Sequence, residues 1–303
     1  MFDVSVVIPT FRRPHLLKKT ISSVGEQDNS LNLAYEIIVV DNCPQKSAEC
    51  TVTQMISRYD VPISYVSEPR QNISLARNAG IDQSKAQFIA MIDDDEEAAS
   101  NWLDHLIMTI RVHDADVVMG PTTPTFDKEI PQWIGGRRHY SRHLSLPTGA
   151  VIRFGSSANF LMRSSTCVSN NNRFDPALGR SGGSDTDFFM RLSKSMGRKI
   201  VWCNEAVVKE FIPEDRFKLK YLLRREFRGT QVFVWSMVKY SEHPIATALY
   251  QSVFVGLSQI AIWSVPCLLL LPFRTAASFR VQRMLTRGLA KLFWSKIFRF
   301  NFY

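Results

Sequence analysis

The sequence has few cysteines and lacks the common glycine-rich nucleotide-binding motifs. Its five cysteines show neither CxxC nor zinc-finger spacing, and an odd, scattered set makes a poor disulfide framework. We therefore expect reduced thiols in a cytosolic compartment. No GxGxxG follows the first predicted strand and no GxxxxGK[ST] occurs, which disfavours a standard dehydrogenase and a P-loop protein. The start, MFDVSVVIPT, has no basic leader before its apolar run, so no signal peptide is expected.

Acidic side chains are nearly absent from the C-terminal region. Residues 216–303 hold 14 of the 37 Lys and Arg residues but only 2 of the 28 Asp and Glu residues. Such a basic segment can contact nucleic acid or an anionic membrane. Nucleic-acid binding is disfavoured, because it would need a folded platform with exposed aromatics rather than a long apolar run.

An uncharged run at 245–273 is longer than the roughly 20 apolar residues that span a bilayer. Pro266 interrupts the run, and one helical face is polar through Gln251, Ser252, Ser258 and Gln259. We interpret it as a membrane-embedded segment, either spanning or re-entrant. The alternative is a buried helical hairpin packed on the rest of the protein.

A basic amphipathic helix is predicted after this run. One face carries Arg280, Arg283, Arg287 and Lys291. The other face is largely apolar, formed by Val281, Met284, Leu285, Leu289, Leu292 and Phe293. This pattern is typical of a helix that lies on anionic lipid. Interfacial aromatics follow it: Trp294, Phe298, Phe300, Phe302 and Tyr303.

The first 120 residues alternate apolar runs with helical patterns. Strands are predicted at 4–8, 36–40, 63–66, 88–92 and 116–120, and helices at 15–24, 47–59, 72–84 and 101–113. This order predicts an α/β fold with a mainly parallel sheet covered on both faces. The pattern loosens over 121–184, with a further strand predicted at 158–162 and a helix at 185–197.

Ligands bind such sheets at the carboxyl ends of the strands. That rule selects Pro9, Thr10 and Arg12 after the first strand, Asp41 after the second, and five consecutive acids, 93–97, after the fourth. Clustered carboxylates can hold a cation, perform acid/base chemistry or solvate a turn. Asp oxygens suit Mg²⁺ and Mn²⁺, which commonly hold a nucleotide diphosphate.

Four segments in this order resemble the family 2 glycosyltransferases with the GT-A fold. They are SVVIPTFRRPHLLKKTISSV, YEIIVVDN, NISLARNAGIDQSKAQFIAMIDDDEEA and GGSDTDFFMRL. More narrowly, AVVKEFIPEDR and LLRREFRGT look like the succinoglycan-biosynthesis β-glucosyltransferases of bacterial exopolysaccharide assembly. The resemblance implies a GT-A catalytic domain at 1–215, with a nucleotide-sugar half (1–120) and an acceptor half (121–215). A helical membrane-associating region, 216–303, follows.

The resemblance also implies roles for individual residues. Nucleotide-sugar binding falls to Pro9, Thr10, Arg12, Asp41, Arg77, Asn78, Asp93 and Asp94. Asp95 would ligate a divalent cation, Mn²⁺ or Mg²⁺, that bridges the phosphates. Asp185 would be the general base, in Gly-Ser-Asp where the family usually has Gly-Glu-Asp; the alternative for it is a helix N-terminal acid favoured by the dipole.

Further residues have a possible role in this resemblance. Asp187 and Glu210 are candidates for metal or acceptor binding, Glu210 standing where many relatives have a histidine. Arg224, Arg225 and Arg228 are candidates for the acceptor's diphosphate or for lipid headgroups. His139 and His143 flank a basic loop and are expected at the surface.

The implied function is inverting transfer of a hexose, most simply glucose, from a UDP-sugar to a polyprenyl-diphosphate-linked saccharide. The protein would act at the cytoplasmic face of a bacterial inner membrane, without nucleic acid. Ser184 in place of the usual Glu favours an alternative, a non-catalytic nucleotide-sugar-binding subunit of a polysaccharide assembly complex. A nucleotidyltransferase is disfavoured, because a Gly-rich triphosphate loop is lacking after the first strand.

Overall fold

A computed structural model describes residues 2–153, 155–168 and 172–295. The strands are β1 (Val4–Thr10), β2 (Tyr35–Asp41), β3 (Ile63–Ser67), β4 (Phe88–Ile92), β5 (Glu96–Ala98), β6 (Val117–Met119), β7 (Thr122–Thr125), β8 (Val151–Ile152), β9 (Asn159–Arg163), β10 (Ile200–Trp202) and β11 (Val208–Phe211). The helices are α1 (Pro14–Gly25), α2 (Glu49–Ile56), α3 (Ile73–Gln83), α4 (Trp102–Val112), α5 (Ser164–Cys167), α6 (Ser184–Met190), α7 (Leu219–Lys239), α8 (Pro244–Leu249), α9 (Leu257–Leu270) and α10 (Ala276–Leu292). The predicted order of strands and helices is confirmed.

The main sheet has eight strands in the order β3-β2-β1-β4-β9-β6-β10-β8. The first four are mutually parallel, whereas β9 runs antiparallel to both β4 and β6. The chain leaves β1 toward β2 on one side and returns to β4 on the other. The sheet therefore has its topological switch point at the carboxyl ends of β1 and β4.

Helices cover both faces of this sheet, as the continuous apolar strands predict. In β1, Val6 packs into a core with α1, α2 and α4, whereas Val7 packs on the opposite face with α3 and α6. Alternate residues of one strand thus serve two cores, which is why the strand has no polar face. Asn72, the first residue of the predicted helix at 72–84, caps α3, its side chain accepting hydrogen bonds from the backbone of Ser74 (3.0 Å) and Leu75 (3.3 Å).

A second, three-stranded sheet, β5-β11-β7, lies beside the switch point. Strand β11 is antiparallel to β5 and places Glu210 opposite Glu96. It pairs parallel with β7 on its other side. Glu210, 114 residues further along the chain, is thereby brought to the acidic turn that follows β4.

The C-terminal region is helical. Residues 244–270 form one helix, through a π-helical stretch at 250–256, and by length and composition it could cross a membrane. Only 11% of its most apolar 18-residue window is buried, with Leu268 and Leu269 about 70% exposed. The alternative of a buried helical hairpin is therefore wrong.

The orientation of α10 differs from the prediction. Three of its four basic residues face other helices, because Arg283 and Arg287 pair with Glu226 on α7 and Lys291 donates to Gln259 on α9 (2.9 Å), whereas Arg280 is exposed. A polar partner on α7 turns this face inward. Trp294 donates to Ser252 (3.0 Å), whereas the predicted aromatics at 298, 300, 302 and 303 lie outside the described residues.

Candidate functional site

The carboxyl ends of β1 and β4 open into a pocket of about 280 Å³, called here the strand-end pocket. Pro9 and Thr10 line it from the end of β1, and Arg77 lines it from α3. The acidic turn 93–95 lines it from the end of β4. The switch point thus brings together five of the eight residues predicted for nucleotide-sugar binding, with Asp95 and Glu210 beside them.

The other three predicted residues lie outside this lining. Arg12 has a positive φ of 56° and donates from its guanidinium to Gln45 (2.7 Å). Asp41 is fully buried and accepts hydrogen bonds from the backbone of Cys43 (3.0 Å) and Ala48 (2.7 Å). These contacts shape the loop that follows β2. Asn78 exchanges two hydrogen bonds with the backbone of Phe174, which ties α3 to the segment before α6. Their predicted nucleotide roles stay predictions.

Arginines that are remote in sequence balance the acidic turn. Arg13 contacts Asp94 (3.1 Å) and Asp95 (3.0 Å), and Thr10 donates to Asp94 (2.7 Å). Arg77 reaches Asp93 only at 3.5 Å, and its buried Nε has no hydrogen-bond partner among the described residues. Arg77 therefore has donors to spare for an anionic ligand.

Two further arginines bridge the acidic turn to Glu210. Arg142 contacts Glu210 (2.6 Å) and Glu96 (3.4 Å). One terminal nitrogen of Arg216 donates a hydrogen bond to Glu210 (2.7 Å), and the other donates one to Asp95 (3.1 Å). Arg13, Arg142 and Arg216 were not predicted as site residues from the sequence. The doubled arginine of PTFRRP was a usable signal for the first, whereas the others come from distant loops.

Burial makes these carboxylates costly to ionise. Burial, and then the charges of Asp93 and Asp94, raise the pKa of Asp95 to about 6. Burial also raises the pKa of Asp94, and raises that of Glu96 well above its usual value. A group of acids in this condition is stabilised by any cation that enters, and perturbed pKa values of this kind cluster at functional sites.

The residues present fit a hard divalent cation. No group of three or more His, Cys, Asp or Glu side chains is arranged for a metal within the described part of the chain. Asp95 and Glu210 nevertheless converge on one guanidinium, that of Arg216, which bridges them. Carboxylate oxygens of this kind are the ligands that Mg²⁺ and Mn²⁺ prefer, with phosphates and water supplying the rest. Asp95 and Glu210 would be the protein ligands of such a cation.

Asp185 stands in the first turn of α6, after a turn formed by Gly182 (φ 81°) and Gly183 (φ 96°). Its carboxylate accepts a hydrogen bond from the backbone of Thr186 (2.8 Å). A side chain on Gly183 would meet Val232 of α7 at 2.7 Å, so the glycine permits close packing of α6 on α7. Asp185 lines a second cavity, of about 620 Å³, called here the basic cavity.

Asp187 has a different environment. It is 1% exposed, and its carboxylate pairs with Lys239 and accepts a hydrogen bond from Tyr240 (2.8 Å). Arg191 lies 3.5 Å from its other oxygen. Asp187 lines neither the strand-end pocket nor the basic cavity. Its contacts attach the end of α7 to α6.

The arginines of LLRREFRGT separate into two groups. Arg225 and Arg228 line the basic cavity, whereas Arg224 lines an apolar groove, which Arg228 also borders. His139 also lines the basic cavity, with its ring 5.3 Å from that of Phe279, so it is half-buried rather than fully exposed, whereas His143 is exposed as predicted. Burial, and then the charge of Arg283, lower the pKa of His139 to about 4.

Comparisons with known proteins agree with this geometry. The family model described as glycosyl transferase family 2 matches residues 5–167. The succinoglycan biosynthesis protein ExoM of Rhizobium meliloti is 35% identical over 230 residues, 75% of this chain and 73% of that protein. A GalNAc(5)-diNAcBac-PP-undecaprenol beta-1,3-glucosyltransferase of Campylobacter jejuni is 34% identical over 109 residues, 35% of this chain and 34% of that protein.

Solved structures show the same fold. The crystal structure of S. aureus TarS 1–349 in complex with UDP superposes with a TM-score of 0.56 at 14% identity. The match covers 95% of this chain and 91% of that one. The predicted α/β architecture is confirmed as GT-A-like.

Proposed function

The chain belongs to glycosyl transferase family 2, and from that premise we propose that it moves glucose from a UDP-sugar to a polyprenyl-diphosphate-linked saccharide. The printed name of the Campylobacter relative supports a glucosyltransferase that acts on a saccharide carried by undecaprenyl diphosphate. The UDP complex of TarS supports a uridine-diphosphate donor. The ExoM match supports a place in bacterial exopolysaccharide synthesis.

One observation carries this proposal. Arg142 and Arg225 line both the strand-end pocket and the basic cavity, so the two spaces share a wall. The basic cavity contains Asp185, and the strand-end pocket contains the acidic turn. A donor in one space and an acceptor in the other would meet beside a carboxylate, which is the arrangement that transfer requires.

Asp185 would act as the general base. Its carboxylate takes the proton of the acceptor hydroxyl while that oxygen forms a bond to the anomeric carbon. The bond between the anomeric carbon and the phosphate oxygen breaks, and UDP leaves with that electron pair. Because attack and departure occur on opposite faces of the sugar, the product has the inverted configuration.

The donor's diphosphate would lie against the acidic turn and its arginines. Asp95 and Glu210 would hold Mn²⁺ or Mg²⁺, which when bound offsets negative charge on the diphosphate. Arg216 would release these two carboxylates and remain beside the phosphates as a hydrogen-bond donor. Arg77 would offer its unused donors to the same ligand.

The C-terminal helices would place the enzyme at the cytoplasmic face of a bacterial inner membrane. The exposed apolar helix at 244–270 supports membrane attachment, and the lipid carrier of the proposed acceptor explains its use. Five scattered cysteines, all free, agree with a reducing compartment.

Calorimetric binding of nucleotide sugars to the detergent-solubilised protein tests the donor half of this proposal. We expect UDP-glucose to bind in the presence of Mn²⁺ and to bind at least about tenfold more weakly to Asp95→Ala. Asp127→Asn, at an exposed acid outside both cavities, is the control for folding and charge. If the folded protein bound no nucleotide sugar with Mn²⁺ present, the proposal would be wrong.

A further inference from the structure

The basic cavity is walled by two helices of the C-terminal region as well as by the catalytic part. Its basic side chains are Arg142, Arg225, Arg228, Arg283, Arg287 and Lys291. Among its described lining residues the carboxylates are Asp185 and Glu226, and Arg142 is paired with Glu210 and Glu96 outside that lining. A cavity of about 620 Å³ lies within the usual size of a ligand site, roughly 300–1,000 Å³. The excess of positive charge indicates an anionic ligand.

Glu226 holds two arginines of α10 and leaves their terminal N–H groups unused by the other residues that the structure describes. Arg283 and Arg287 each bond Glu226 through Nε, the first at 2.9 Å. Their terminal Nη atoms make no hydrogen bond to any residue within 2–153, 155–168 or 172–295. Glu226 therefore fixes two guanidinium groups side by side and leaves their outer N–H groups for a ligand. Guanidinium groups suit phosphate, which accepts two parallel hydrogen bonds from each.

Arg225 connects this cavity to the donor. It lines both the basic cavity and the strand-end pocket, and it has no ion pair in the part of the chain that the structure describes. Burial, and then the charge of Arg142, lower the pKa of Arg225. A partly buried guanidinium without a carboxylate partner costs folding free energy that an anionic ligand would offset.

Arg228 connects the cavity to an apolar surface. It also lines the apolar groove, of about 670 Å³, together with Leu219, Leu223 and Phe227 of α7. From Asp185 to Arg228 and on to the groove, the lining changes from a carboxylate to guanidinium groups and then to the apolar side chains of the groove, which Lys220, Arg224, Gln231 and Thr286 also border. A saccharide, a diphosphate and an isoprenoid chain follow one another in the same order.

We propose that the basic cavity binds the diphosphate of the acceptor, with Arg228, Arg283 and Arg287 as its phosphate ligands. The apolar groove takes the first isoprenoid unit of that acceptor. This assignment rests on the proposed function and adds an acceptor site to it. The C-terminal region then does more than attach the protein to a membrane, because α7 and α10 build the site.

Pyrophosphate binding to the full-length protein in detergent, with UDP saturating, tests this assignment. Saturating UDP blocks the strand-end pocket, so pyrophosphate binding reports the second site. We expect the wild type to bind pyrophosphate, and Arg228→Gln and Arg287→Gln each to bind it about tenfold more weakly or worse. Arg280→Gln is the matched control, since this exposed residue stands on the same helix outside the basic cavity.

The outcomes separate the two proposals. If UDP does not bind, the proposed function fails. If UDP binds but pyrophosphate does not, or binds equally well to Arg287→Gln and Arg280→Gln, only the acceptor site is overturned. Arg287→Lys, which keeps the charge, should recover part of the affinity. Dimethylallyl diphosphate should bind at least about fivefold more tightly than pyrophosphate because the groove buries its hydrocarbon, and equal affinities would overturn the groove's role.

Two further measurements need no variant. Hydrogen exchange of the wild type should show protection of 219–239 and 276–292 on addition of pyrophosphate, and unchanged exchange there would count against the site. Phosphatidylglycerol offers the same phosphate chemistry from a membrane lipid. Pyrophosphate affinity should be the same in nanodiscs of phosphatidylcholine with or without phosphatidylglycerol. Loss of affinity in the mixed nanodiscs would make the cavity a lipid-headgroup site and overturn the acceptor assignment.

Discussion

Replacing Glu210 by Gln removes one charge from the centre of the arginine–carboxylate network while nearly keeping the side-chain shape. Glu210 accepts hydrogen bonds from Arg142 (2.6 Å) and Arg216 (2.7 Å), and its side chain is 7% exposed. The amide oxygen of Gln could accept from only one of these guanidinium groups, and its NH₂ group would face the other. Arg142 would keep Glu96 at 3.4 Å, and Arg216 would keep Asp95 at 3.1 Å.

The loss of stability depends on which carboxylate partners Arg142 and Arg216 keep. Removing one partner of a fully buried ion pair costs about 3–5 kcal/mol. Here the side chains of Arg142 and Arg216 are 32% and 18% exposed, so water screens part of the loss. The charge of Glu210 also contributes to the raised pKa of Asp95 and Glu96, so its removal makes these acids easier to ionise. We expect a loss of about 1–3 kcal/mol and a melting temperature lower by roughly 2–8 °C.

Thermal unfolding of the full-length protein in detergent measures this effect. Glu97→Gln is the matched control, since Glu97 lies on β5 beside Glu96, is exposed and has no ion pair within the described residues. It should change stability by no more than about 0.5 kcal/mol. If Glu210→Gln has the same melting temperature as Glu97→Gln and the wild type, then Arg142 and Arg216 do not depend on Glu210 for stability.

Three further substitutions test other parts of the account. Burial raises the pKa of Asp95 from 3.8 to about 6, so the folded protein holds the carboxyl proton more tightly than the unfolded chain does. The protonated carboxyl therefore contributes stability that is complete below about pH 4 and is lost as the pH rises through about 6. Denaturant unfolding from pH 4 to 7 should show a smaller decline for Asp95→Asn than for the wild type; equal declines would contradict the assignment. Gly183→Ala places a methyl group 2.7 Å from Val232 at a φ of 96°, and should cost about 1–3 kcal/mol in calorimetric melting while UDP binding persists. Asn159→Ala leaves the indole N–H of Trp102 and the carbonyl group of Ala206 without this partner, while the carbonyl of Pro121 keeps the N–H of Val208 (3.1 Å). It should lower the free energy of unfolding in urea by about 2–4 kcal/mol; a loss below about 1 kcal/mol would show that water replaces the amide.

Local signals predicted the frame of the fold well. The run FIAMI at 88–92 became β4 with the predicted bounds, because a strand buried on both faces must be apolar throughout. The helix predicted at 72–84 became α3, and Asn72, a residue type that favours N-caps, accepts hydrogen bonds from its first turn. The rule that ligands bind at strand ends led to the acidic turn, since topology fixes that edge of the sheet.

Contacts between distant segments could not be predicted in this way. The short strand β5 is EEA, which has no apolar pattern, so the sequence did not predict the second sheet or the pairing that places Glu210 opposite Glu96. Arg142 and Arg216 reach the acidic turn only because β7 and β11 place their loops there. Each comes from a polar loop with no periodicity.

The direction of an amphipathic face was also beyond the sequence pattern. The spacing of Arg283 and Arg287 predicted one basic face on α10, and that face exists. Helical periodicity does not distinguish a face toward lipid headgroups from a face toward a polar cavity. The partner that decides it, Glu226, lies on another helix.

The central claim is that Asp185 removes the proton of an acceptor hydroxyl at the junction of two cavities. The most direct measurement is transfer of labelled glucose from UDP-glucose to a polyprenyl-diphosphate-linked saccharide by Asp185→Asn, with UDP-glucose affinity measured on the same preparation. The account predicts turnover lower by at least about 100-fold and donor affinity within about twofold of the wild type. Turnover equal to that of the control Asp127→Asn would contradict it.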